Sequence, residues 1–168
     1  MSAAQSFFLA GVMQGARSGA AYADQGYRAA LRTEIARYRP DAVVHDPFDL
    51  MRDWIGAQED MIRREHAELA DRPIVQRDKA GPGLAALIDT FHRLARTAAA
   101  SDVCVAWLPE HEPSMGTAVE MHSACLAGRT VVAITEMRQN LAVLACTSLI
   151  LPDLEAFGDW LAHGGDRR

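Results

Sequence analysis

The chain is 168 residues long, 49% hydrophobic and 23% charged, with a formal net charge of −5. This composition fits one globular domain with a substantial core. The acidic balance argues against a general nucleic-acid binder, which carries a basic face, although a single nucleotide needs only one local arginine and a few N–H groups. No apolar run approaches the ~20 residues of a membrane span. The opening MSAAQ has neither the basic nor the long apolar region of a leader. Cys104, Cys125 and Cys146 stand in apolar contexts without metal-like spacing, as buried free thiols of a reducing compartment do. A cytoplasmic protein is expected.

In chain order, Ser6–Ala10 (SFFLA) reads as a short buried strand, and Gly11–Arg17 (GVMQGAR) as a glycine loop. Tyr27, Leu31, Ile35 and Tyr38 recur at helical spacing and predict a helix over 20–38, ended by Arg39 and Pro40. Ala42–His45 is a short strand, and Asp46 and Pro47 open a loop. A second helix is expected from Asp49 through Met51, Trp54, Ile55 and Met61 toward Leu69, its densely charged later half facing solvent. Residues 71–83 break the pattern and read as a connecting loop. A third helix over about 83–99 puts Leu84, Leu87, Ile88, Phe91, Leu94 and Ala98 on one face. The remainder reads as a strand at 103–107, a polar loop, a helix over about 117–127, a strand at 130–134, a short helix within 139–147, a strand at 148–151 and a helix at 154–161. Residues 164–168 form a polar tail after one domain at 1–163. Strands alternating with helices predict an α/β three-layer sandwich on a parallel five-stranded sheet, flavodoxin/Rossmann-like, in the order 2-1-3-4-5. The first and third strands then flank the switch point, where ligands bind in such folds.

The loop leaving the third strand, Glu112–Glu120 (EPSMGTAVE), is the most informative stretch. It offers backbone N–H groups and the Ser114 and Thr117 hydroxyls to an anion, with a carboxylate close by. Two readings of Glu120 follow from the residues alone. Thr117 and Glu120 have capping-box spacing, in which Glu bonds back to the helix cap. Alternatively, Glu120 is a functional carboxylate at a ligand site, kept ionised by a helix N-terminus. Trp107 ends the third strand as either core or pocket wall, and His111 and His122 flank the loop as surface histidines. The scattered histidines and polar-face carboxylates form no metal constellation, and no cofactor is expected.

The segment Pro113–Glu120 resembles the catalytic loop of the nucleoside 2-deoxyribosyltransferase superfamily, which includes deoxynucleoside 5′-monophosphate N-glycosidases and CMP/hydroxymethyl-CMP hydrolases. The resemblance implies Glu120 as nucleophile, and its Ser114-x-Gly116 is similar to the monophosphate-binding branch. At the N-terminus, Gly11, Gly15 and Arg17 match the family's sugar- and phosphate-binding loop, whereas Val12 and Gln14 replace a hydroxyl and a second arginine. Phe8 occupies the family's first-strand aromatic position under the sugar or base, and His45 lies near its base pocket. The family's proton-assisting Asp falls by ungapped counting on Leu94, which leaves Asp89, His92, His45 and Glu112 as alternatives. Arg138–Asn140 corresponds to a region near the family's subunit interface, implying a homodimer or higher homo-oligomer. The function implied is hydrolysis of the N-glycosidic bond of a nucleoside 5′-monophosphate through a covalent Glu120 adduct. Base exchange by a deoxyribosyltransferase and a non-catalytic nucleotide sensor are the alternatives.

Overall fold

The computed structural model of the chain describes residues 4–15, 17 and 23–164. Five strands, β1 (Ser6–Gly11), β2 (Val43–His45), β3 (Val103–Leu108), β4 (Thr130–Thr135) and β5 (Leu149–Leu151), pair in parallel in the order β2-β1-β3-β4-β5. The expected α/β three-layer sandwich is the fold observed. Its helices are α1 (Gly26–Tyr38), α2 (Pro47–Ile55), α3 (Glu59–Ala67), α4 (Pro82–Ala100), α5 (Met115–Leu126), α6 (Leu141–Cys146) and α7 (Leu154–Ala162).

The central strands are apolar on both faces, as a sheet covered on two sides requires. Phe7, Leu9, Val103, Val105, Val132 and Ile134 point toward Leu31 and Ile35 of α1 and Phe157 and Leu161 of α7. Phe8, Ala10, Cys104, Ala106, Val131 and Ala133 point the other way, toward Leu94 of α4 and Met121 and Ala124 of α5. The difference in side-chain size matters for the site. Alanines and a cysteine beneath α5 leave little bulk between helix and sheet, so α5 packs directly on β1, β3 and β4. At the opposite edge, Asp102 accepts from the Ser6 N–H and hydroxyl, both at 2.8 Å, and fixes β1 beside β3. These bonds hold the Asp102 carboxyl below its usual range.

Several helix boundaries differ from the sequence expectation. Residues 20–22 of the first expected helix lie outside the described residues, and the helix there runs from Gly26. Asp46 and Pro47 do not open a loop: Asp46 accepts from the Phe48 N–H at 3.0 Å as N-cap, with Pro47 at the first helical position, where its missing N–H does no harm. The single helix expected over 49–69 is α2 and α3, separated by one 3-10 turn at Gly56–Gln58. The loop 71–83 carries a 3-10 turn at Arg77–Lys79. It ends at the N-terminus of α4, where Glu65 of α3 accepts from the Leu84 N–H at 2.9 Å, a cap supplied by a neighbouring helix. Of the expected tail, 165–168 lie outside the described residues. No described helix is long and apolar enough to cross a membrane.

Candidate active site

The switch point lies between β1 and β3, whose last paired residues are Gly11 and Trp107. Both sequence motifs leave the sheet there. Gly11 is bare for a steric reason: a Cβ would collide with the Tyr27 hydroxyl, which packs over it from α1. Gly15 has φ +59, a left-handed conformation that favours glycine, and a Cβ there would strike the Glu112 carboxylate. The loop after β3 turns through two left-handed residues that are not glycine, Glu110 (φ 49) and His111 (φ 60).

The N-cap of α5 is Ser114, which accepts from the Thr117 N–H at 3.3 Å and the Thr117 hydroxyl at 2.9 Å. The helix therefore starts at Met115, two residues earlier than expected, and Thr117 lies inside it. This overturns the capping-box reading of Glu120, because the carboxylate is a turn too far along to reach the cap. Its side chain turns down onto the sheet instead and is 8% exposed. Burial lifts its pKa to about 8, opposed by the Arg28 guanidinium. The expectation that a helix N-terminus keeps Glu120 ionised at pH 7 thus fails: the dipole acts mainly in the first turn, and desolvation outweighs it. Cys104 in β3 is raised for the same reasons, burial first and then Glu120.

Opposite Glu120 is a buried cation that sequence reasoning missed. Arg28 of α1 donates through Nη1 to the Leu9 carbonyl at 2.8 Å and to Asp46 at 3.2 Å, and through Nε to Gln25 at 2.8 Å. Asp46 also meets Arg32 at 3.1 Å. Tyr27 stacks on Trp107, with centroids 5.8 Å apart and planes at 4°. Burial lifts its hydroxyl far above the ordinary tyrosine range. A signal was present in the sequence: Arg28, Leu31 and Ile35 share one stripe of α1, and all three are buried. A charge on a core-facing stripe requires a partner.

The proposed anion groups sit farther out. Arg17 pairs with Glu112 at 2.5 Å, both partly exposed. Ser114 is occupied as the cap, which leaves the N–H groups of Met115 and Gly116 without an intrahelical acceptor. Gly116 faces open space apart from the Phe91 ring. Phe8 is fully buried in the core beneath α5. His45 is half-buried at the end of β2, one residue before Asp46. Leu94 is core, and Asp89 and His92 are exposed on α4. His122 is exposed, and His111 lies 3.7 Å from Glu136 at the surface. A cleft of about 170 Å³ opens between α5 and α6, with Ser114, Met121, Met137 and Asn140 among its walls. Arg138 and Gln139 line a second, of about 470 Å³, beside it.

Neither a protein-family model nor a curated protein matches the chain. Solved structures do. A conserved protein from Enterococcus faecalis V583 matches with a TM-score of 0.58 at 19% identity, covering 96% of this chain and 99% of that one. The 2-deoxyribosyltransferase of the psychrotolerant bacterium Bacillus psychrosaccharolyticus matches with a TM-score of 0.55 at 12% identity, covering 92% and 90%. At such identities the likeness is one of fold: this chain has the α/β architecture of a 2-deoxyribosyltransferase along nearly its whole length.

Proposed function

We propose that residues 1–163 form a single-domain nucleotide N-glycosidase of the nucleoside 2-deoxyribosyltransferase superfamily, hydrolysing a nucleoside 5′-monophosphate to free base and sugar 5-phosphate. The observation that carries this is Glu120, a carboxylate buried at the switch point, released from capping by Ser114 and faced by Arg28. Structural carboxylates of that depth pair directly with a cation or a cap. Asp46 does so here.

In the reaction, a Glu120 oxygen bonds to C1′ as the C1′–N bond breaks. The electron pair leaves with the base, which takes up a proton. Water then attacks C1′, giving the sugar 5-phosphate and restoring Glu120. Arg17, the Gly11–Gly15 loop and the Met115 and Gly116 N–H groups hold the phosphate and sugar. Asp89 and His92 are too exposed to serve the leaving base, and Glu112 is engaged by Arg17. His45 is the proton donor that remains at this edge.

A second reading, a nucleotide sensor without turnover, draws on Leu94, a core residue where the resemblance calls for an acid. Base exchange would use the same adduct with a second base in place of water. The exposed Met115, Val119 and Leu126 of α5, with Leu141 and Leu144 of α6, support a homodimer across this face, to be checked by light scattering. The decisive experiment incubates the protein with ribo- and deoxynucleoside 5′-monophosphates and assays free base by chromatography, with Glu120→Ala in parallel. Release by the wild type alone establishes the hydrolase. Binding without release from any nucleotide establishes the sensor, and release that requires an added acceptor base establishes the transferase.

A further inference from the structure

Two buried donors beside Glu120 are left unpaired by the fold. Tyr27 Oη and Arg28 Nη2 are both shielded from solvent, and neither makes a well-aligned hydrogen bond among the described residues, although the Tyr27 hydroxyl and the Arg28 side chain are close enough to interact with each other. The rest of each side chain is engaged. Arg28 Nη1 and Nε bond Leu9, Asp46 and Gln25, and the Tyr27 ring stacks on Trp107. The Arg28 guanidinium lies 4.9 Å from the Tyr27 ring centroid, so both free donors belong to one locality. It lies over Gly11 at the end of β1, against which α5 packs. Glu120 is within electrostatic reach of both groups.

Native structures retain few such orphans, because a buried donor without an acceptor destabilises the fold. A pair of them at the end of β1, where the motif loops leave the sheet, calls for a ligand oxygen. A phosphate is a poor candidate, since Arg28 is already faced by Asp46 and an anion there would oppose the ionised Glu120 that the reaction requires. A neutral hydroxyl meets no such repulsion. If Glu120 stands beside C1′, the next sugar position is C2′.

We propose that Tyr27 and Arg28 form the subsite for the C2′ hydroxyl of the substrate sugar, so that the chain prefers ribonucleotides to 2′-deoxyribonucleotides. The inference rests on the reading of Glu120 as the carboxylate beside C1′. The hydroxyl oxygen accepts from Arg28 Nη2 and Tyr27 Oη, and its own proton is offered to Glu120. A deoxy sugar leaves both donors unpaired, and sites built to bond a hydroxyl discriminate sharply against its absence. A preference of about 10- to 100-fold is expected.

The test uses ribose 5-phosphate and 2-deoxyribose 5-phosphate as calorimetric probes, which require binding and no turnover, on the wild type, Tyr27→Phe and Arg28→Lys. Ribose 5-phosphate is expected to bind at least tenfold more tightly to the wild type. Tyr27→Phe, which keeps the Trp107 stack, is expected to lose most of that margin by weakening the ribo ligand alone. Its melting temperature should hold or rise, because an unpaired hydroxyl is removed. Arg28→Lys keeps the charge against Asp46 and should narrow the margin likewise. Equal binding of both sugars, or a margin that survives both substitutions, overturns the inference. CMP and dCMP assayed for base release separate the two levels: release at equal rates leaves the glycosidase reading intact and removes this one. If neither sugar phosphate binds, this inference falls, and base release from CMP or dCMP decides whether the glycosidase reading stands.

Discussion

The switch point has a buried inner end and a partly exposed outer end, each built on an arginine–carboxylate pair, and the two pairs are used in opposite ways. At the inner end, Arg28 and Asp46 are each about 5% exposed and meet at 3.2 Å. At the outer end, Arg17 and Glu112 are 38% and 28% exposed and meet at 2.5 Å. The shorter pair is the weaker one. Solvent screens it and its side chains are free to rearrange, whereas the inner pair is fixed by Leu9, Gln25 and Arg32. A rigid inner end with unpaired donors suits chemistry that needs fixed geometry. An outer end whose arginine already holds an internal carboxylate suits an anion that must be exchanged. Substitutions at the two ends should differ in kind, inner ones changing fold and turnover and outer ones changing affinity.

The largest expected effect is at Glu120. Glu120→Gln should reduce base release by about 10⁴-fold or more, in line with nucleophile removal elsewhere, while circular dichroism shows an unchanged fold. Wild-type activity with full nucleotide binding retained in this variant would refute the nucleophile assignment. The same residue gives a pH signature. Its pKa is about 8 in the folded protein against an ordinary 4.5, so the folded state holds the extra proton between those values. The raised carboxyl stabilises the fold fully below pH 4.5, and that contribution is lost as pH rises to about 8. At roughly 1.4 kcal/mol per pKa unit the full loss is on the order of 5 kcal/mol. Urea unfolding from pH 5 to 9 measures it as the difference in slope between wild type and Glu120→Gln, and parallel curves would count against it. Conversely, kcat/KM should climb until about pH 8, because the attacking form is the carboxylate.

Next in size is the inner ion pair. Asp46→Ala removes the buried counter-charge of Arg28 and the cap of α2, while Arg32 keeps Asp49 at 2.6 Å; a loss of about 3–5 kcal/mol is expected. It also leaves Glu120 as the nearest carboxylate answering the Arg28 charge, so the rising limb of the rate profile should shift to lower pH. A stability loss below 1 kcal/mol in chemical denaturation would mean that the pair is not structurally important.

The inner and outer ends also differ in how far they could be read from residues. The sheet order was legible because the strands are short apolar runs separated by helical periods, and the connection rules leave few topologies. The two motif loops were legible as strand-to-helix junctions. Arg28 was not, because its partners at positions 9 and 46 come from other elements and a local window shows only a charge on a helix. The start of α5 was misread because Ser114 and Thr117 both fit an N-cap, and only the fold shows Ser114 accepting from the Thr117 N–H and hydroxyl. The proton state of Glu120 was misread because burial is a property of α5 lying on alanines of three strands. None of those alanines is near Glu120 in sequence.

The smallest effect tests the outer end. Glu112→Gln removes a carboxylate that stands over Gly15 and holds Arg17. Stability should change by less than about 1 kcal/mol, as for other exposed pairs. Affinity for a nucleoside monophosphate should rise by roughly 3- to 10-fold, because a phosphate no longer competes with an internal anion for Arg17 or approaches a like charge. The gain should shrink in 0.5 M salt, where the Debye length falls to a few ångströms. Calorimetric titration at low and high salt reads both quantities from one ligand. If affinity falls instead, Glu112 is a positioning residue that holds Arg17 in its binding conformation, and the outer end resembles the inner one in that respect.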